Sequence, residues 1–250
     1  MPPVKELHFF DGRFRLQRAA DVLAGEHRSA KRGRGSDDSE ARNHAFLQLA
    51  LTYVAGHSDI EWYAKLFAMK DTLQSGDITP GYSTLGIGDA RRIAARFPAL
   101  KVLFLVRHPV DRLWSQFNHE LRRGVGPGVS NLIDVANVRA FLDRPDVQAR
   151  SFPTRIYNNW RQALPDSRIF AGLFDDLTSE PHTLRARILT FLGLDPASGN
   201  EVTLNRKGAQ QKIEPTPEIT QLLDEYFADE IEVAAELFGG AARGWRRKAN

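Results

Sequence analysis

Between Lys101 and Phe117 the hydrophobic spacing changes period once, and that change dictates a strand running straight into a helix. Val102 to Val106 is an unbroken apolar run, the pattern of a strand covered on both faces in a parallel sheet; Leu113, Phe117 and Leu121 then repeat at helical spacing. Pro109 suits the first helical position, where a missing N–H does no harm. Arg107 therefore stands at the carboxyl end of a strand, the edge at which open α/β sheets bind ligands, beside the free N–H groups that open the helix. A fixed cation and a helix N-terminus facing one place ask for an anion.

The rest of the chain alternates the same two periods. Helices are expected at about Ala41 to Val54, Asp59 to Ala68, Ile87 to Phe97, Pro109 to Arg122, Leu132 to Leu142, Thr154 to Leu164, Pro181 to Leu192 and Pro217 to Leu237. Strands are expected at Lys5 to Phe10, Asp77 to Ile78, Lys101 to Val106 and Arg168 to Phe174. That order predicts an α/β fold with a largely parallel sheet flanked by helices. With 250 residues, 42% of them hydrophobic, the chain can bury one full core, so residues 1–250 are expected to form a single domain. Within it, Gly25 to Arg42 runs from a basic cluster (Arg28, Lys31, Arg32, Arg34) to an acidic one (Asp37, Asp38, Glu40) and reads as a flexible insertion loop over 25–42.

Composition narrows the function classes. Thirty-four Lys and Arg against 31 Asp and Glu leave a formal charge of +3, which demands no nucleic-acid partner. The absence of cysteine excludes disulfides, thiolate metal sites and a cysteine nucleophile. No apolar run is long enough to span a membrane and no signal segment follows Met1, so a cytoplasmic, soluble protein is expected. The strand, glycine-rich turn with Lys and Ser or Thr, and helix that open a nucleotide-binding α/β sheet are not found in the sequence.

Several residues could serve a site. Alternation along a strand places Glu6 and His8 on one face, each able to exchange a proton with a bound molecule. Phe9, Phe10, Trp62, Tyr63 and Tyr82 could line a cleft for sugar rings or flat apolar molecules, although for Phe9 and Phe10 core packing is the stronger reading. Tyr82 is well placed because it follows a turn at Thr79, Pro80 and Gly81. Asp175 and Asp176 are a pair that could hold Mg²⁺ in a phosphotransferase.

Arg107, then Pro109, Arg112 and Ser115, behind a strand, closely resembles the 3′-phosphate-binding motif of sulfotransferases that use 3′-phosphoadenosine 5′-phosphosulfate (PAPS). Further segments follow in that family's order. "KELHFFD" from Lys5 resembles the segment carrying a catalytic glutamate in the glycan (heparan sulfate-type) branch, and "EWYAKLF" from Glu61 resembles the aromatic helix after it. "GDITPGY" from Gly76, "FDDL" from Phe174, "FLGL" from Phe191 and "LNRKG" from Leu204 are similar to later elements, so the likeness runs from about residue 1 to Trp245. His108 stands where the family usually has Asp, and Ile78 where several glycan enzymes have Lys.

The resemblance implies a P-loop-like sulfotransferase fold, PAPS as donor without a metal, and a glycan or small-molecule acceptor. It implies Glu6 as general base with His8 as rival; Arg107 and Ser115 on the 3′-phosphate; Arg206, Lys207 and Gly208 covering the nucleotide; and Lys5, Trp62 and Tyr82 toward the acceptor. It also implies that the first strand-loop-helix unit, with its 5′-phosphosulfate loop, is encoded upstream of Met1. A P-loop kinase-like phosphotransferase and a degenerate, non-catalytic binding module remain as alternatives.

Overall fold

A computed structural model of the chain describes residues 4, 6–14, 16–24, 37–55, 57–69, 73–124, 133–198 and 213–246. The chain divides into two compact units, Met1–Phe97 and Pro98–Asn250.

In the first unit, α1 (Leu16–Leu23), α2 (Asp37–Ala50) and α3 (Ile60–Ala68) enclose a core of Val4, Leu7, Ala19, Phe46, Leu47, Ala50, Tyr63 and Leu66, and α4 (Ile87–Arg96) completes the unit. Helix α3 starts where it does because the Asp59 carboxylate accepts the N–H groups of Glu61 and Trp62, at 3.0 and 2.9 Å. Tyr63 and Leu66, three residues apart, then face the core. Part of the segment expected to loop over 25–42 is helical: α2 begins at Asp37.

Among the described residues of this unit, two expected strands do not form. Glu6 to His8 is irregular, and Phe9 to Gly12 is a turn in which Arg13 N–H donates to His8 O at 2.9 Å. Asp77 and Ile78 are irregular as well. The reason is that side chains take the backbone donors a neighbouring strand would need. Leu7 N–H donates to Asp77 Oδ1 at 3.4 Å, and Phe9 N–H to the Tyr82 hydroxyl at 3.0 Å.

The second unit contains the sheet. Strand β1 (Val102–Val106) pairs in parallel with β2 (Ile169–Leu173), Val102 opposite Ile169 and Val106 opposite Leu173. Between them lie α5 (Pro109–Arg123), α6 (Val135–Leu142), α7 (Pro145–Ser151) and α8 (Pro153–Arg161). After β2 come α9 (Phe174–Ser179), α10 (Pro181–Leu192), α11 (Pro217–Tyr226) and α12 (Ala228–Phe238). Helix α5 buries Val110, Leu113, Trp114 and Phe117 and stops at Gly124, whose φ of 58° is left-handed. The single helix expected from Pro217 to Leu237 is two, divided at Phe227, a fully buried residue whose bend lets both halves line one core. Glu230 on α12 accepts from Thr154 N–H and Oγ1, at 2.8 and 2.7 Å, doing from a distance what a capping residue does for the start of α8. Burial holds that carboxyl above its usual range.

Strand β1 is not covered on both faces as its sequence suggested. Phe104 and Val106 pack on the core, while Leu103 and Leu105 are 38% and 46% exposed. Helix α10 lies against β2, where a Cβ on Gly172 would come within 2.9 Å of Leu184 and Phe170, and it leaves Leu103 and Leu105 in solvent. Among the described residues no helix is long and apolar enough to cross a membrane.

Candidate active site

In the first unit a chain of acidic and imidazole groups runs through the Glu6–Asp11 turn. His8 Nδ1–H donates to Asp11 Oδ2 at 2.6 Å, and His8 Nε2 lies 3.8 Å from Glu6 Oε2. Arg13 Nη2 adds a second donor to Asp11 Oδ2 at 2.8 Å. Burial pushes the Asp11 carboxyl up, and the hydrogen bonds from His8 and Arg13 outweigh it, leaving the group below its ordinary value. The Asp11 carboxylate on Nδ1 orients the imidazole with Nε2 on the side of Glu6.

The backbone that carries this chain is strained. Among the described residues, the non-glycine residues with positive φ are Glu6, at 57°, and His8, at 56°. Two anchors hold them there. Asp77 accepts from Thr79 Oγ1 at 2.7 Å, Tyr82 OH at 2.7 Å, Tyr63 OH at 3.0 Å and Leu7 N–H. Burial, then the Asp77 charge, raises both phenols far above their ordinary range, so both remain donors. Gly81 forms the second anchor: a Cβ there would stand 2.4 Å from Asp11 Oδ2 and 3.2 Å from the His8 ring. Only glycine lets the Pro80–Thr84 turn approach this closely.

Aromatic rings pack beside the turn. Phe9 stacks on Trp62 at 5.8 Å and on Tyr63 at 4.8 Å, and Trp62 Nε1–H donates to Thr52 Oγ1 at 3.0 Å. Trp62 is half-buried. Tyr82, expected on the acceptor side, has its hydroxyl bonded within the chain to Asp77 and Phe9 N–H. Lys5 lies outside the described residues.

The second unit holds a contrasting set of groups. Arg107 follows β1 and its guanidinium lies 5.1 Å from the Phe174 ring. Arg112 and Ser115, three apart, are neighbours on the surface of α5, with Ser115 exposed. Arg112 Nη2 donates to Gln116 Oε1 at 3.0 Å and to Ser151 Oγ at 2.9 Å, which ties α5 to the end of α7. Burial, then the charges of Arg150 and Arg107, pull the Arg112 pKa down to about 10. Arg112 Nε and Arg150 Nε are both buried with no hydrogen-bond partner among the described residues. Leaving a buried donor unpaired costs about 1–3 kcal/mol, and among the described residues no carboxylate pairs with Arg107, Arg112 or Arg150.

Asp175 and Asp176 are engaged elsewhere: Asp175 Oδ1 accepts from Trp245 Nε1 at 3.3 Å, and Asp176 pairs with Arg187 at 3.2 Å. His108, just before α5, is held below its ordinary pKa by burial. Arg206, Lys207 and Gly208 lie outside the described residues.

Sequence reading passed over Asp11, Asp77 and Arg150. Asp11 had a signal in Asp-Gly after His8, a turn pair, and Asp77 had one in Asp-x-Thr-Pro, where a carboxylate caps its own turn. Arg150 had none, because its nearness to Arg112 arises from the packing of α7 on α5.

The sequence model of the sulfotransferase family matches residues 3–198. Among solved structures, a sulfotransferase from Alicyclobacillus acidocaldarius is similar in fold, with a TM-score of 0.62 and 20% identity over 98% of this chain and 87% of that one. No curated protein matches the chain.

Proposed function

The chain belongs to the sulfotransferase family, and on that premise we propose that it moves a sulfuryl group from PAPS to a hydroxyl or amine of a glycan or small-molecule acceptor. The observation that carries the reading is the Glu6, His8, Asp11 chain held on a left-handed backbone. Such backbone stores about 1–3 kcal/mol per residue and persists at sites where surrounding groups over-determine it.

Glu6 takes the acceptor's proton as the acceptor's new bond to sulfur forms. Its side chain is 40% exposed against 9% for His8, so Glu6 is the end of the chain that an acceptor reaches. His8 Nε2 shares the proton that Glu6 acquires, and Asp11 stabilises the imidazolium that results. Arg107 and Ser115 hold the 3′-phosphate, and Arg206, Lys207 and Gly208 cover the nucleotide. The fit of a phosphate to this region rests on the unneutralised cations beside α5. The donor supplies an activated S–O bond whose cleavage releases 3′-phosphoadenosine 5′-phosphate. Lys5 and Trp62 serve the acceptor, while Tyr82 serves it through the Phe9 backbone it holds.

The test is transfer from labelled PAPS to a panel of hydroxyl and amine acceptors. Glu6→Gln lowers turnover by about 10² to 10⁴ and leaves the affinity for 3′-phosphoadenosine 5′-phosphate unchanged. Wild-type turnover in Glu6→Gln beside an inactive His8→Ala would move the base to His8. A folded wild-type protein with no measurable affinity for the nucleotide would refute the donor assignment.

A further inference from the structure

Arg112 and Arg150 are the described residues whose buried guanidinium nitrogens lack any hydrogen-bond partner. They stand on different helices, Arg112 near the start of α5 and Arg150 in the last turn of α7, next to the Ser151 that Arg112 bonds at 2.9 Å, and the charges of Arg150 and Arg107 both act on Arg112. Carboxylates pair with Arg13, Arg92, Arg96, Arg144, Arg161, Arg187 and Arg246, but among the described residues none pairs with Arg107, Arg112 or Arg150. Structural duties explain part of this. Arg112 links α5 to α7 through Ser151, and an arginine suits the carbonyl end of a helix such as α7. Neither duty brings a full negative charge.

Three arginines gathered without a counter-charge suit a ligand with more than one negative charge. A phosphate monoester carries close to two at neutral pH and offers three strong acceptor oxygens. Arg107 and Ser115 together neutralise one charge and engage part of those acceptors. A second guanidinium on the same group would balance the rest, and Arg112 has its Nη2 committed to Gln116 and Ser151.

We propose that Arg150 is a further contact to the 3′-phosphate bound by Arg107 and Ser115, and that it makes the site select adenosine nucleotides carrying a dianionic 3′-phosphate over those without one. This rests on the nucleotide reading above. Arg112 acts behind it as a positioning residue, holding the Ser151 end of α7 against α5 so that Arg150 faces the phosphate.

The experiment is calorimetric titration of the full chain with adenosine 3′,5′-bisphosphate and, separately, adenosine 5′-monophosphate. Wild type prefers the bisphosphate. Arg150→Gln loses about tenfold or more in affinity for the bisphosphate and stays within about twofold for the monophosphate, so the preference shrinks. Arg150→Lys, which keeps the charge and loses the planar fork, falls between the two. A preference equal to wild type in Arg150→Gln, with circular dichroism and melting unchanged, overturns the assignment and leaves the nucleotide reading intact. If Arg150→Gln does not fold, Arg150→Lys decides: a wild-type preference there overturns the assignment just as firmly. A wild-type protein with no preference between the ligands overturns the nucleotide reading and this assignment together.

Discussion

Two clusters, one in each unit, treat charge in opposite ways. Around Asp77 and Asp11 each carboxylate takes donors from the chain itself: two phenols, a threonine hydroxyl and a backbone N–H on the first, an imidazole and a guanidinium on the second. Around the start of α5, Arg107, Arg112 and Arg150 meet neutral partners or none among the described residues. The first arrangement meets its carboxylates with donors of the chain, Asp11 Oδ1 alone among their oxygens lacking one among the described residues, and spends its order on fixing Glu6 and His8 in a strained conformation. On the proposed reading the second is satisfied by an anion from outside. A transferase needs both: a proton acceptor whose geometry precedes the substrate, and a binding region whose charge is matched only on binding.

Three substitutions test that contrast. The largest effect is expected from Asp77→Ala, which strips the acceptor from Tyr63, Tyr82, Thr79 and Leu7 at once and should lower unfolding free energy by about 2–4 kcal/mol in a urea titration. A loss below 1 kcal/mol would mean the network is decorative and the strain at Glu6 and His8 is held by something else. Gly81→Ala ranks second. Its Cβ must displace the Asp11 carboxylate or the turn, at a cost of about 1–3 kcal/mol, and sulfuryl transfer should fall further than stability does because His8 loses its orienting partner. Full activity in that variant would detach the His8–Asp11 pair from the chemistry. The smallest effect belongs to the second unit. Arg112→Met gives up two neutral hydrogen bonds and relieves a buried cation, and the net change should stay within about 1 kcal/mol. A loss matching that of Asp77→Ala would make Arg112 a structural keystone and collapse the comparison.

The sequence showed the second unit's sheet well and the first unit's turn poorly, for physical reasons. A run such as Val102–Val106 followed by Pro109 carries its own period and its own start signal, so strand, helix and the position of Arg107 were legible to within a residue. Lys5–Phe10 looked like a strand because apolar and polar residues alternate there, yet its conformation is set by partners some seventy residues on, Asp77 and Tyr82, which no local pattern can announce. Glu6 and His8 were picked out together from a supposed strand face; the structure brings them within 3.8 Å through a left-handed turn instead. Exposure of Leu103 and Leu105 was likewise hidden, because an apolar run records what a strand tolerates on each face and says nothing about how far a neighbouring helix extends.

The pairing of Val102 with Ile169 has a kinetic side. Helices α5 to α8 lie between the two strands, so the sheet closes only after a long stretch of chain has been folded back, and parallel pairing brings no local hairpin to start it. Helices form from near neighbours in about a microsecond, whereas contacts this distant in sequence belong to the slow end of the folding spectrum. During that interval Leu103 and Leu105 wait beside an unzipped strand, and on completion they still face water. Refolding yield should therefore fall with protein concentration long before equilibrium stability gives any warning, since association during the wait competes with closure at a rate set by encounters between chains.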